Sequence, residues 1–492
     1  MTKTWIAALM GCIVFSHNAQ ADGRSFTLPA VDVAAALRAD AAKPGPQPFR
    51  FAVPTVVSMT PATDGEWQLA ADGMAVWQLT VRSAGATSLN FGFTHYALPE
   101  AATLRVLAAD GNAAIGPFGP EYNTLGVLWT PVLRSDTAVI ELRVPALQRE
   151  AVQLTLGSIN HGFRGFGAKT ETSEGVSAKS GSCNIDVVCA DGNEWRNEIR
   201  SVARYTIGGA LLCSGQLVNN TAQDFRPLFL TANHCLMTAA QAPTTVFYWN
   251  YQTSRCGGTP DGSLDQTQSG ALFLAGSGGG TDLGPDFTLM QLLTTPSAAF
   301  NVYYSGWDRR DIAPVGVTGI HHPNGDEKRI SLDFDPTFVS AYAQQPDSPL
   351  SALMPTHLMV VSWDRGVTEG GSSGSGIWNR ERRLVGQLSG GASSCDAPKD
   401  PDWYGRMYSN FTHLATPLTS LASWLDPQGT AETLDGLDSK AILSPAPAPP
   451  PSAVPNPGSN PRSNNSAGEG GGGAMLMWLL LPAAIWQRRR RH

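Results

Sequence analysis

A serine, a histidine and an aspartate, far apart in the chain, are the residues best placed by their neighbours to do chemistry. Residues 370–378 read GGSSGSGIW. A serine between Gly371 and Gly374 can sit on a tight turn with its hydroxyl free and backbone N–H groups pointing the same way. Acyl transfer needs that arrangement, a nucleophile beside donors for a developing oxyanion. Gly/Ser loops without chemistry are common, so this one gains meaning only with a base and an orienting acid. The base candidate is His234 in FLTANHC, where a hydrophobic strand ends in a small turn. Its neighbour Cys235 could pair with Cys213 in ALLCSGQLV and pin the turn to an adjoining strand, the rigid support a general base needs. The acid candidate is Asp286 in GPDFTLMQL, at the start of an apolar strand that can carry it inside to hold an imidazole by Nδ1–H. Asp282, in GSGGGTDLG, is its competitor and reads as solvated.

The elements that must position these groups belong to a long, loop-rich chain. Its 492 residues include 51 glycines and 35 prolines, and 15% are charged. That composition suits a β-dominated secreted protein better than a helical cytosolic one. The formal charge of −7, with no basic stripe before the last residues, argues against a nucleic-acid partner. Lys3, an apolar run and Ala19-Gln20-Ala21 read as a signal peptide over residues 1–21, cut after Ala21. Cys12, in a loose lipobox, is the lipoprotein alternative. The six remaining cysteines all lie between Cys183 and Cys395 and allow 15 pairings, marking one disulfide-bearing domain.

Residues 22–170 lack cysteine and show short alternating runs, such as Trp77, Leu79 and Val81, then Ile140, Leu142 and Val144. Asp72-Gly73 reads as a hairpin turn between two runs. No catalytic cluster is visible there, so a folding or inhibitory pro-region is expected, with a carbohydrate- or cell-wall-binding module as the rival. A polar stretch containing Lys169 and Lys179 follows and reads as a cuttable linker. Residues 183–437 carry frequent short β runs, which suggest a barrel or sandwich, with a helical close over residues 418–425. A proline-rich spacer, four glycines, a short apolar run and four arginines end the chain.

The order His234, Asp286, Ser373 is that of chymotrypsin. TANHC, GPDFTLMQL and GSSGSG resemble a chymotrypsin-fold serine protease. SGSCNIDVVC, LVNNTA, YWNYQ, GWDRRD, HHPNGDEKRIS, GVTEGGSSGSGIW, GQLSGGASSC and WLDP narrow the resemblance to bacterial lysyl endopeptidases of the Achromobacter and Lysobacter type, over residues 181–438. The resemblance implies an all-β architecture, a chymotrypsin-like double β-barrel protease domain with a C-terminal helix behind a small β-rich pro-domain. It implies His234 as base, Asp286 as its orienter, Ser373 as nucleophile, and the N–H groups of Gly371 and Ser373 as oxyanion hole. It pairs Cys183 with Cys395, Cys189 with Cys256 and Cys213 with Cys235. Of Asp396, Asp400 and Asp402 in the loop after Cys395, it selects Asp402, before Tyr-Gly-Arg, as the specificity aspartate. Lysine over arginine is the family's implication, because one carboxylate accepts either cation. The tail resembles Gly-Gly sorting tails clipped by a rhomboid-type protease, a plain anchor being the alternative.

Three positions depart from the family pattern. Ser372 stands where trypsin-like enzymes have an aspartate for the new N-terminus, so release of a covering pro-domain is the expected route of activation. Gly376 replaces a proline. Ser389 replaces a histidine, and its partner tryptophan near Ala341 or Tyr342 is not evident. His321-His322 is a poor chelating pair, since neighbours on a strand face opposite ways, so no metal and no cofactor is expected. The expected organisation is a signal peptide (1–21), a propeptide (22–179, ending at Lys179), a protease domain (180–440), a linker (441–467) and a sorting or anchor tail (468–492). The expected activity is that of a secreted, monomeric serine endopeptidase cutting protein and peptide substrates after lysine through an acyl-enzyme. Its expected partners are its own pro-domain and a protease that acts on the tail, which can anchor it transiently. A broader Lys/Arg protease and an inactive protease-fold surface binding protein are the alternatives.

Overall fold

The computed structural model describes residues 25–43, 47–166, 180–236, 238–278, 284–414 and 416–440. The chain divides into units of residues 1–444 and 445–492. Ala21, Lys179, Asp282, the signal peptide, the body of the linker and the tail lie outside the described residues.

Alternation shapes the N-terminal part. In the Met74–Arg82 strand, Trp77, Leu79 and Val81 are buried and their neighbours less so. It pairs antiparallel with Thr137–Pro145, which places Leu79 opposite Ile140 and Trp77 opposite Leu142. Period-two side chains therefore share one inner face. A second sheet orders Ala52–Met59, Gln153–Gly162, Ser88–Ala97 and Leu128–Trp129. Its Phe91, Phe93, Leu156 and Ile159 meet the first sheet in one core. Each such side chain contributes roughly 1.5–3 kcal/mol through burial. The expected hairpin joins Glu66–Leu69 to Met74–Arg82, with Gly73 at φ +82°, a left-handed conformation that glycine adopts without strain.

The C-terminal part contains two further sheets. The eight-stranded one runs Thr267–Ser269, Thr245–Trp249, Val202–Ile207, Leu211–Val218, Leu228–Ala232, Phe287–Leu292, Ala271–Ser277, and Phe49–Arg50 from the N-terminal part joins it at Leu211–Val218. The ten-stranded one includes Val315–His321, Gly376–Asn379, Leu384–Gly391, Asp402–Arg406 and His357–Val360 as successive neighbours. The first encloses Tyr205, Phe229, Phe247, Trp249 and Met290. The second encloses Val317, Val360, Trp363, Ile377 and Tyr404. A cluster containing Leu230, Leu289, Trp307, Ile320 and Trp378 joins the two. The chemistry-bearing loops gather at that seam.

The helical close differs from expectation. Only Ala422–Leu425 is helical, preceded by Met407–Thr412. Leu421 and Leu425 are buried, but Leu418 is exposed. A one-turn helix has no extended face, so the apolar spacing marked contact points and not helix length.

Candidate active site

Strand register brings His234 to Asp286. Leu228–Ala232 pairs antiparallel with Phe287–Leu292, with Ala232 opposite Phe287. The residues just past that rung are therefore the turn bearing His234 on one side and Asp286 on the other. Asp286 Oδ2 accepts from His234 Nδ1 at 2.8 Å and Oδ1 accepts the His234 backbone N–H at 2.9 Å. One carboxylate thus holds both ring and backbone, which fixes the tautomer that leaves Nε2 free to accept a proton. Asp286 is 3% exposed and sits at φ +57°. Its carbonyl accepts from Asn233 N–H (3.1 Å) and Gln387 Nε2 (3.3 Å), which anchor that conformation. The Cys213–Cys235 disulfide closes beside it with sulfurs 2.03 Å apart.

Ser373 lies in a loop butted against the same strand. Its carbonyl accepts the Ser214 N–H at 2.9 Å. Gly374, at φ +81°, leaves no room for a side chain: a Cβ there would collide with the Thr231 hydroxyl and lie 2.5 Å from Ser214 O. Gly371 is also left-handed, at φ +90°. The N–H groups of Ser372, Gly374 and Ser375 donate to Glu369 O, Leu388 O and Ser372 O. Those of Gly371 and Ser373 meet no protein acceptor among the described residues. Two free donors, separated by Ser372 and beside a hydroxyl, are the groups that an anion site requires. No hydrogen bond joins the Ser373 hydroxyl to His234 among the described residues; Nε2 faces the Cys235 sulfur at 3.8 Å. Catalytic hydrogen bonds are often loose before substrate binds.

Ser372 is held by a buried histidine. His321 Nδ1 lies 2.8 Å from Ser372 Oγ and Nε2 lies 3.1 Å from Ser331 Oγ. Ser331 donates to Val367 O, and Ser372 Oγ accepts the Glu369 N–H. The protons have one consistent order: Ser372 donates to Nδ1, and Nε2–H donates to Ser331. Burial pushes the His321 pKa down to about 3, so the ring stays neutral and the order stands. His322 turns to a different partner, with Nδ1 2.9 Å from Asp326 O.

Asp402 is fully buried behind the nucleophile loop. Its Oδ2 accepts from Trp363 Nε1 (2.7 Å), Ser393 Oγ (2.7 Å) and Thr368 Oγ1 (2.9 Å), while Oδ1 has no hydrogen-bond partner among the described residues. Gly391 covers that orphan oxygen so closely that a Cβ would overlap it. Burial pushes the Asp402 pKa up, and the three side-chain donors together with the Ser393 backbone N–H pull it back. Asp396 and Asp400 are exposed. The remaining disulfides join Cys183 to Cys395 and Cys189 to Cys256.

Comparison with known proteins decides the family. The family models described as "Lysyl endopeptidase N-terminal domain" and "Lysyl endopeptidase, C-terminal domain" match residues 27–163 and 177–405. A lysyl endopeptidase of Pseudomonas aeruginosa is 33% identical over 390 residues, covering 73% of this chain and 78% of that protein. The chain belongs to the lysyl endopeptidase family. Among solved structures, the protease Anisep from Arthrobacter nicotinovorans is similar at 17% identity and TM-score 0.31, over 42% of this chain and 90% of that one. A Glu endopeptidase is similar at 15% identity and TM-score 0.27, over 42% and 86%. As a member of the family, the chain is a serine endopeptidase with an all-β, chymotrypsin-like fold.

Within this lysyl endopeptidase fold, Ser389 has a partner that was not legible beforehand. His357, from the His357–Val360 strand two places along the sheet, puts Nε2 3.0 Å from Ser389 Oγ and Nδ1 2.9 Å from Thr356 Oγ1. Tyr342 tilts against the His357 ring at 5.5 Å and meets Trp403 at 6.1 Å. An imidazole backed by an aromatic ring thus does sit beside position 389, the imidazole from another strand and the ring from a turn. Burial pushes the His357 pKa down to about 4. Sequence reading also missed Trp363, Thr368 and Ser393. Thr368, inside GVTEGGSSGSGIW, and Ser393, inside GQLSGGASSC, lay in motifs that carried some signal; Trp363 converges through folding alone.

Proposed function

We propose that the protein is a secreted endopeptidase that cleaves after lysine, with His234, Asp286 and Ser373 as its triad. The observation that carries the specificity is the buried Asp402 carboxylate, one oxygen holding three side-chain donors and the other unpartnered among the described residues. A buried carboxylate lacking a partner is costly, and an ammonium brought by substrate would satisfy it. Lysine delivers a compact one.

In the proposed reaction Ser373 Oγ attacks the carbonyl carbon while His234 Nε2 takes the hydroxyl proton. The N–H groups of Gly371 and Ser373 bind the oxyanion, and Asp286 stabilises the imidazolium. The imidazolium then gives its proton to the leaving amine, which departs as the acyl-enzyme forms. Water, deprotonated by His234, releases the acid and restores Ser373.

The domain reading completes the proposal: a signal peptide over 1–21, a propeptide over 22–179, a protease domain over 180–440, a linker and a tail anchored or clipped by a sorting protease. The mature enzyme acts as a monomer. What supports a boundary before Ser180 is that its N–H and hydroxyl both reach Asp326 Oδ2, at 3.1 and 2.7 Å. The α-amino group released there would meet a carboxylate.

Matched peptides differing only in Lys or Arg before the scissile bond test the specificity; lysine is expected to lead by at least tenfold, and equal rates would defeat the narrow reading. A Ser373→Ala precursor tests self-processing. It is expected to remain uncut at Lys179, and the same mature N-terminus without added protease would refute that step.

A further inference from the structure

The Leu211–Val218 strand pairs with Leu228–Ala232 only at Gln216–Val218, and the open side of its first residues, beside the nucleophile loop, is already paired within the chain. Phe49–Arg50 runs antiparallel to Leu211–Val218, with Phe49 opposite Leu212 and Arg50 opposite Leu211. Ala210 O accepts the N–H groups of Phe51 (2.9 Å) and Ala52 (3.2 Å). Leu212 lies two residues before Ser214, whose N–H meets Ser373 O. The Phe49 ring covers Gly370, where an added Cβ would sit 3.1 Å from ring Cδ2. Gly370 immediately precedes Gly371, one of the two residues with free N–H groups.

This strand is clamped from behind. Arg164 Nε donates to Arg50 O at 2.6 Å, and its guanidinium lies 4.1 Å from the Phe49 ring centroid. Asp40 pairs with both Arg164 (2.7 Å) and Arg50 (2.8 Å). Farther along, Phe51 and Phe166 share a core with Leu212 and Tyr248. Phe166 also lies 3.8 Å from the guanidinium of buried Arg204.

A peptide that adds a strand to a sheet edge gains affinity from main-chain hydrogen bonds and selectivity from pockets for its side chains. The register also gives a direction. Followed backwards from Phe49, an antiparallel partner of this strand leads toward Ser214 and Ser373. A peptide paired in the same sense would have its scissile bond on the N-terminal side of the paired residues. We propose that the N-terminal domain blocks protein substrates by holding residues 210–212 with Phe49–Arg50, on the side of the Leu211–Val218 strand that Leu228–Ala232 leaves open and along which the substrate residues after the scissile bond would otherwise run. The surface over Gly370 then favours a bulky apolar side chain in substrate, as it holds Phe49 in the precursor. The inference rests on the reading of the N-terminal domain as a removable propeptide.

The test uses the full chain kept intact by Lys179→Gln, its mass verified, beside the processed enzyme. Two substrates are chosen by what the processed enzyme cuts best, whatever residue its pocket prefers. One is extended by three residues after the scissile bond; the other ends in a small leaving group. Relative to the processed enzyme, the intact chain is expected to lose at least tenfold more activity on the extended substrate than on the short one. Phe49→Ala and Arg164→Ala in the intact chain should each recover extended-peptide cleavage at least fivefold, with far-UV circular dichroism unchanged. Equal losses on both substrates, or no loss on either, would overturn the proposal, and that comparison decides even if a variant misfolds. A lysine-specificity failure would show instead as a changed residue preference, leaving the ratio intact.

Discussion

Asp402 shows how much one oxygen can decide. Trp363, Ser393 and Thr368 spend three donors on Oδ2 and none on Oδ1, so the carboxylate is held rigidly yet left incomplete. Substitution Asp402→Asn keeps the shape and removes the charge. Loss of one partner from a buried ion pair typically costs about 3–5 kcal/mol, so kcat/KM for lysine peptides should fall by roughly 150- to 4,000-fold. Labelling of Ser373 by an uncharged fluorophosphonate should continue, since nucleophile and oxyanion donors are untouched. A loss of less than about fivefold on the peptides, a difference under 1 kcal/mol, would remove Asp402 from substrate recognition.

Among the elements, the nucleophile loop and the Leu228–Ala232 strand depend on one close approach. Gly374 meets Thr231 and Ser214 where any Cβ would overlap, and its φ of +81° disfavours other residues. Both obstacles are backbone or near-backbone, so Gly374→Ala must push Ser373 away from the turn that carries His234. A displacement of about 1 Å costs on the order of 100-fold in rate. That loss should appear in kcat, with KM for a lysine peptide changing little because Asp402 lies in a different strand. Equal effects on kcat and KM would show that the loop had collapsed as a whole.

At the scale of the whole molecule, buried titratable groups set how the fold responds to acid. Burial lowers the pKa of His321 to about 3 and of His357 to about 4, below the ordinary value near 6.5. A depressed imidazole pKa means the unfolded chain binds protons that the folded one refuses, so stability falls as pH drops from 6.5 through these values. Burial raises Glu198 to about 7 and Glu327 to about 8. Those groups bind protons in the folded state first, which favours folding as pH falls toward about 4.5 and offsets the histidines there. Below 4.5 that compensation ends. Thermal denaturation should therefore change little between pH 6.5 and 4.5 and steepen below, by up to about 1.4 kcal/mol per pH unit for each neutral imidazole. His321→Gln should reduce the slope between pH 4.5 and 3; an unchanged slope would mean that carboxylates alone govern acid unfolding.

The chain alone made the chemistry-bearing residues legible, because motif types and their order survive without coordinates. GGSSGSGIW, TANHC and GPDFTLMQL announce candidates for a nucleophile, a base and an acid by composition and local turn propensity. Alternation likewise announced the inward faces of Met74–Arg82 and Thr137–Pro145, since a period of two is a local property. Folding decided what depends on distant segments meeting. The hydroxyls and indole around Asp402, the His357 ring at Ser389 and the proton order from Ser372 through His321 come from loops and strands with no local mark of their partners. The same holds for Phe49, which reads as one apolar residue among several until its strand closes on Leu211 and Leu212. Local spacing records how a segment folds; only register across strands, set by the shared cores, records what it folds against.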